Sequence, residues 1–531
     1  MKTTIAFMQE GDKVQHGIMA LSSVLKKEGF KTDIFSIQSE KENIVDKILE
    51  FNPSILAMSV MTPGFAVMAS ITREIKMRAP GIITIMGGPH PTFFPQLIKK
   101  QDCIDAVCVG EGEYALLELA QGLEKNELRT DIQNLWMKVD GQIVENEIRP
   151  LIDDLDTLPI PDYEVYFQRY PYLMDRDYKY NVGRGCPFPC TYCFNISMVE
   201  MYKGKGGNWV RYKSADKIME ELTYLKTSFP MKVVSFNDDT FNINKKKLAE
   251  TMSRYEKEIK LPFLCQLKID CADEETVAIL KKAGVDRITV AIENGNEEFR
   301  KTMLKRGMTN KQIIEFGTWI KKYDIRLHCV NIVGFPEETL EIAFETAELN
   351  AKVDPEMADI GVLSPYPGTA IYNHAKEKGY LVDDYDFNNM TGQKSWSGHK
   401  SKIRSEIKNE NMPQLISFMC FFPLLVKYPI IKPLVKQLIK IQYNFIYEFI
   451  WVVTSQFKID FKYAPNWKEK RALLKRLFKL DVNDKKESRG EKSKDRNYDL
   501  ADSPFKKGWQ EAMSVRGYTQ PDIQPSSKID L

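Results

Sequence analysis

Twice along this chain of 531 residues, short apolar runs alternate with amphipathic segments, and no other feature restricts the fold as much. Strands separated by helices cannot join through hairpins, so they pair in parallel with helices on the sheet faces. In residues 1–125 the strand-like runs are Thr4–Met8, Thr32–Ile37, Ile55–Val60, Ile82–Met86 and Ala106–Val109. Helix-like segments are Gly17–Lys27, Ile44–Glu50, Ala66–Met77, Phe94–Lys99 and Tyr114–Leu123. This predicts a doubly wound α/β domain that takes ligands at the carboxyl ends of its strands. Glycines gather there, Gly87 and Gly88 after the fourth strand and Gly110 and Gly112 after the fifth. A G-x-G-x-x-G after the first strand is absent, which argues against a dinucleotide site of the usual kind.

The alternation resumes over 179–385, with strand-like runs Lys179–Val182, Lys232–Phe236, Phe263–Lys268, Arg287–Ile292, Arg326–Ile332 and Asp359–Leu363. Six such units predict a partial (β/α)6 barrel with its active face at the carboxyl ends of the strands. Between the two lies a connector, 126–178, with a hairpin turning at Asp140-Gly141 and a Pro- and Asp-rich linker, Leu151–Asp162. Residues 386–480 are predicted to be a helical cap, and 481–531, with the charge run Lys485–Arg496, a flexible tail. Gln414–Val426 is apolar but too short to span a bilayer. With the Lys-bearing Lys432–Phe457, it reads either as buried helices over the barrel or as an element lying against a membrane.

Chemistry concentrates at the start of the second run, where Cys186, Cys190 and Cys193 stand in a Gly- and Pro-punctuated loop as C-x-x-x-C-x-x-C. Three thiolates at this spacing fit one face of a 4Fe–4S cube with an iron left open, since the next cysteine is Cys265. The rival reading is a zinc site completed from a distance, weakened because the nearest histidines are His90 and His328. Nine cysteines without small-domain spacing argue against a disulfide framework, and a thiolate-held cluster needs a reducing compartment. A cytoplasmic protein is the expectation, since the N-terminus lacks a secretory pattern. A net charge of +2 speaks against a nucleic-acid-binding surface over the whole chain.

With Tyr192 as its aromatic, the cysteine loop resembles that of the radical S-adenosylmethionine (SAM) enzymes, whose open iron chelates SAM. The first domain resembles the cobalamin-binding domain preceding many such barrels, through Ser59-Val-Met-Thr62, Gly87-Gly-Pro-His-Pro-Thr92 and Val109-Gly-Glu-Gly-Glu113. The resemblance implies a Rossmann-like cobalamin-binding domain, a radical SAM barrel and a helical C-terminal region. It implies cobalamin contacts at Ser59, Thr62, Gly87, Gly88, His90, Gly110 and Glu111. It further implies that Asp238 and Asp239 stand near the SAM amino group, Glu293 at the ribose, Arg300 at the SAM carboxylate and Ile332 beside the adenine, with Tyr192 against the adenosine. The D-x-H-x-x-G motif that carries a lower cobalt ligand is missing, because Gly11-Asp-Lys-Val-Gln-His16-Gly17 has a different spacing. His16 and His90 are therefore as well explained by local hydrogen bonds, and Arg184 either tunes the cluster or forms a structural salt bridge. The implied activity is methylation of an unactivated carbon in a small-molecule or lipid-like substrate, with flavodoxin or ferredoxin as electron donor. A radical cyclase and a non-catalytic cobalamin or iron–sulfur sensor are the alternatives.

Overall fold

The computed structural model describes residues 3–175, 177–385, 404–441 and 443–457. The expected tail lies outside the described residues, as do 386–403 and 458–480 of the expected cap. The first sheet holds β1 (Thr4–Gln9), β2 (Lys31–Ser36), β3 (Ile55–Ser59), β4 (Ile83–Gly87), β5 (Ala106–Cys108), β6 (Leu135–Val139) and β7 (Gln142–Glu145). Its order is β2-β1-β3-β4-β5-β6-β7, parallel through β5. Neighbouring residues of β1 face opposite cores, with Ile5 and Phe7 in one and Ala6 and Met8 in the other. Both faces are therefore covered, as a parallel sheet requires. Asp140 and Gly141 both take positive φ, as a tight hairpin turn demands. The hairpin does not stand alone in a connector: β6 pairs antiparallel with β5 and extends the sheet.

The second sheet is built from β8 (Tyr178–Tyr180), β11 (Val234–Phe236), β12 (Phe263–Leu267), β13 (Val285–Glu293), β14 (Arg326–Val333) and β15 (Met357–Val362). The intervening β9 (Gly183–Arg184) and β10 (Arg211–Tyr212) form a separate antiparallel ribbon. All pairs in the six-stranded sheet are parallel and follow chain order, and β8 and β15 remain its two edges. This is the expected partial barrel. Helix Met412–Lys427 packs its Phe418 on Phe344 (5.1 Å) and shares a core with Val333 and Ile360. Its apolar character thus comes from burial beside the open edge of the barrel, which bears out the buried-helix reading for that segment. No helix among the described residues is long and apolar enough to cross a membrane.

The stretch after the Pro-rich linker is an aromatic staple. Tyr163, Tyr166, Phe167 and Tyr170 are buried in a core continuous with both sheets. The Tyr166 hydroxyl donates to Gln9 (2.6 Å), and that of Tyr170 accepts from the Ser36 amide (2.8 Å) and donates to Glu40 (2.9 Å). These contacts fix how the carboxyl ends of the two sheets approach each other.

Close backbone approach makes Gly295 hard to replace. A Cβ on Gly295 would stand 2.3 Å from the Glu345 carbonyl oxygen and 2.4 Å from the Thr346 Cα, both backbone atoms that cannot yield cheaply. Gly295→Ala is expected to lower stability by about 1–3 kcal/mol. Gly361→Ala, where nothing lies within 4 Å, serves as the control and should leave the thermal unfolding midpoint in place.

Candidate active site

A cavity of about 360 Å³ opens at the carboxyl ends of β1, β3, β4 and β5, at the switch in strand order. Its depth is apolar, lined by Phe7, Ala57, Ile85, Cys108 and Leu116, and its walls include Ser59, Gly87, Gly88, Gly110 and Glu111. Gly88 has φ +93°, a conformation in which a side chain would be strained. His16 Nε2 and Asn181 Oδ1 are buried without a hydrogen-bond partner, and both residues line the cavity. Burial lowers the His16 pKa to about 3, so its imidazole is neutral. An apolar shaft with open backbone walls and unsatisfied polar atoms among its lining fits a large cofactor whose nucleotide tail ends in a flat apolar base and whose ring bears amide substituents, as cobalamin has.

Two expected cavity residues are turned elsewhere. Thr62 Oγ1 and His90 Nδ1 meet at 3.3 Å, and the His90 ring packs between Phe65 (4.5 Å) and Phe94 (5.5 Å). Neither residue lines the cavity, and the local hydrogen bond accounts for His90. The motif carries Gly87 and Gly88 to the site, whereas the helical turn after them rotates His90 into the core.

Beyond β9, the loop presents Cys186, Cys190 and Cys193 as free thiols. Among the described residues no three His, Cys, Asp or Glu side chains converge on one ion. Tetrahedral zinc needs such convergence, but the three thiolates of a cube bind different irons and stand apart. Each sulfur has its own polar neighbour from a different part of the chain. Thr240 Oγ1 is 3.5 Å from Cys186 Sγ, Arg306 Nη1 donates to Cys190 Sγ (3.6 Å) and Asn195 Nδ2 donates to Cys193 Sγ (3.4 Å). Such neighbours tune the potential of a thiolate-held cluster. The residues fit a 4Fe–4S cluster.

The carboxylates divide the work differently from expectation. Asp238 is buried and accepts from the amides of Val182 (3.1 Å) and Gly183 (2.8 Å), pinning the chain where it enters the cysteine loop. Asp239 accepts from Asn195 Nδ2 (3.2 Å), the same amide that meets Cys193. At the end of β13, Glu293 is buried and held at φ +67°, where the register with β14 shifts. This backbone conformation carries a cost for any residue but glycine, and such strain is commonly kept at functional sites. Glu293 Oε1 accepts from the Tyr192 hydroxyl (2.6 Å), and Arg306 Nη1 donates to the same hydroxyl (3.1 Å). Burial raises the Glu293 carboxyl, opposed by Arg306 and by the Tyr192 hydrogen bond. Ile332 packs in an apolar group with Tyr192, Phe335 and Leu304, a wall suited to an adenine ring.

Arg300 does not reach this site. It is fully buried, and its guanidinium donates to the Met308 carbonyl (2.8 Å), Asn310 Oδ1 (2.7 Å) and the Asn294 carbonyl, clamping the loop from within. The cation at the site is Arg306, which the sequence reading missed. Spacing alone cannot separate two arginines six positions apart on one connection.

Glu111 lines the cavity but is also the hub of a buried ion cluster. It pairs with Arg184 (2.8 Å) and Arg211 (2.8 Å) and accepts from the Ile152 amide (3.1 Å), while Arg184 also pairs with Glu113 (2.6 Å). Arg184 is thus a structural salt bridge between the two domains. Its two carboxylate partners raise its pKa against the opposing effect of burial, and Arg184 and Arg211 hold that of Glu111 down.

The B12 binding domain family matches residues 6–120, and the radical SAM superfamily matches residues 180–349. The chain belongs to the radical SAM enzymes that carry a B12-binding domain. Membership brings a 4Fe–4S cluster, SAM and cobalamin as its cofactors. An uncharacterised methyltransferase of Pyrococcus horikoshii is 29% identical over 381 residues, 69% of this chain and 79% of the relative. The anaerobic magnesium-protoporphyrin IX monomethyl ester cyclase of Rubrivivax gelatinosus is 24% identical over 390 residues, 70% of this chain and 68% of its own. The fold is shared with OxsB, a cobalamin-dependent SAM radical enzyme, at a TM-score of 0.61 and 16% identity, covering 90% of this chain and 75% of OxsB.

Two consequences can be measured. Glu111→Gln leaves the buried Arg211 guanidinium without a carboxylate and Arg184 with Glu113 alone, and is expected to cost about 3–5 kcal/mol. Urea unfolding should show the loss, with faster proteolysis at Leu151–Asp162. Glu338 is buried, accepts from the amides of Gly334 (2.6 Å) and Phe335 (3.0 Å), and burial raises its pKa from 4.5 to about 7. The folded state therefore binds its proton more tightly than the unfolded chain, so this group lowers stability as pH rises from about 4.5 to about 7 and has no further effect above. Glu338→Gln should flatten the fall in unfolding midpoint across that window.

Proposed function

We propose that this chain is a cobalamin-dependent methyltransferase acting on an unactivated carbon of a small-molecule or lipid-like substrate. The observation that carries the reading is the placement of the cavity and the cysteine loop on facing strand ends, joined by the Glu111–Arg184 pair. When bound, the cluster supplies an electron that cleaves SAM to a radical able to abstract hydrogen, and cobalamin supplies a methyl group. Cys186, Cys190 and Cys193 hold the cluster, with Thr240, Asn195 and Arg306 at its sulfurs. Tyr192, Ile332 and Glu293 bind the adenosine of SAM, and Arg306 takes the part expected of Arg300 at the SAM carboxylate. Asp239 stands on the side of the SAM amino group, while Asp238 holds the loop in place. Ser59, Gly87, Gly88, Gly110 and Glu111 wall the cobalamin cavity.

The working division is a cobalamin-binding domain over 1–125, a connector over 126–178 whose hairpin completes the first sheet, a barrel over 179–385, a cap over 386–480 and a tail to 531. Nine free cysteines suit a reducing cytoplasm, and an electron donor such as flavodoxin or ferredoxin would serve the cluster.

The test is turnover of the reconstituted, reduced protein with SAM deuterated in its methyl group. A candidate substrate should gain the labelled methyl and release 5′-deoxyadenosine. Product carrying a new ring and no label would instead favour cyclisation, the reaction named for the Rubrivivax relative. Replacing the three cluster cysteines by Ala should abolish deoxyadenosine formation. Deoxyadenosine at wild-type levels from that variant would remove the assignment of the cysteine loop.

A further inference from the structure

Large apolar side chains are exposed at fourteen positions among the described residues, and seven of these fall between Tyr428 and Phe449. The two short helices of this stretch, Lys432–Leu438 and Phe445–Trp451, form a layer over helix Met412–Lys427. Their inward residues are accounted for. Val435, Ile439 and Tyr447 are buried, the Tyr447 ring meets Phe421 edge-on at 4.8 Å, and its hydroxyl donates to the Leu438 carbonyl (2.7 Å). Outward, Ile430 is 88% exposed and Phe445 77%, with Leu434, Ile441, Ile446 and Phe449 all more than half exposed. Single exposed apolar residues need no explanation, but a concentration of this kind marks an interaction surface.

Charge decides what the partner is. From Lys427 to Phe449 there are four lysines and one acid, Glu448, in a chain whose total charge is only +2. Lys427 and Lys432 lean on Asp354 and Glu348, outside the layer. Lys436 and Lys440 have no acidic partner among the described residues; Lys436 lies over the Phe344 ring (5.3 Å) and Lys440 meets Gln437 (2.9 Å). The sequence beyond the described residues keeps this bias, with eight Lys or Arg and two acids across 458–480. Aromatic and branched apolar side chains flanked by lysines without acidic partners match an anionic bilayer surface, where rings enter the headgroup boundary and cations meet lipid phosphates. A protein partner of matching chemistry would have to be acidic and apolar at once. No described helix is able to span a bilayer, so contact at the surface is the mode available to this layer.

We propose that Lys427–Phe449 is a docking surface for an anionic membrane. This does not depend on whether the enzyme transfers methyl or closes rings. The test is flotation of the full-length protein with vesicles of phosphatidylcholine alone and of phosphatidylcholine mixed with phosphatidylglycerol. The protein should float with the mixed vesicles and about tenfold less with the neutral ones, and salt should release it. Phe445→Ser with Phe449→Ser, and separately Lys436→Glu with Lys440→Glu, should each reduce flotation about tenfold or more. These side chains are exposed, so the circular dichroism spectrum should not change. Failure of the wild type to float, or equal flotation of wild type and both variants, would overturn the proposal. A dimer that dissociates in the Phe variant without any vesicle binding would also overturn it and assign the surface to a second copy of the chain.

Discussion

Glu111 and Arg184 carry the constraint on which the rest of the site depends. Arg184 lies two residues before the first cluster cysteine, and Glu111 lies on the wall of the cavity in the other domain. Removing such charges from water is costly, and the cost is offset only when each has a partner in good geometry. Here Glu111 faces two guanidinium groups and a backbone amide, while Arg184 faces two carboxylates. The network therefore tolerates little displacement. It couples the position of the cysteine loop to the glycine-bearing end of β5, so that chemistry begun in one domain has a defined direction toward the other. The buried tyrosines of the connector act in the same sense by fastening β1 and β2 beneath that junction.

The cysteine-loop side is assembled from two later strand connections and a helix start rather than from the loop alone. Thr240 follows β11, Arg306 follows β13, and Asn195 opens the helix after the loop, yet each reaches a different sulfur. Arg306 has a second duty at the Tyr192 hydroxyl, which is also bonded to Glu293. A single cation thus touches a cysteine of the loop and the Tyr192–Glu293 pair. The strained backbone of Glu293 is what brings its carboxylate to that point from the end of a regular strand.

Most of the scaffold was legible because apolar periodicity reports on burial, and every parallel strand of the two large sheets was located to within a few residues. The glycines and cysteines were legible for a different reason, since their chemistry has few substitutes in a turn or a cluster. What escaped was the direction of side chains in irregular segments. Arg300 sits on a short helix that points it into the loop interior, whereas Arg306 lies past the helix end and is free to reach the site. His90 and Thr62 follow different strands and meet only because β3 and β4 are neighbours. Asp238 and Asp239 are adjacent in sequence but face different elements, one the incoming backbone and one Asn195. Arg300 finds its partners six to ten residues away, but for the others they lie tens of residues off, and no local pattern encodes such choices.

The C-terminal region separates two kinds of apolar sequence that look alike. Helix Met412–Lys427 is apolar around most of its surface because it is enclosed between the barrel edge and the two short helices. Pro423 is accommodated inside it, where the helix continues to Lys427. The stretch after it is apolar on a face that nothing in the described chain covers, and there Lys436 and Lys440 have no acidic partner among the described residues. Buried apolar residues explain themselves through the core they fill. Exposed ones beside cations without acidic partners are what the proposed membrane contact rests on, and under that proposal the second half of this region reports on the surroundings of the protein rather than on its fold.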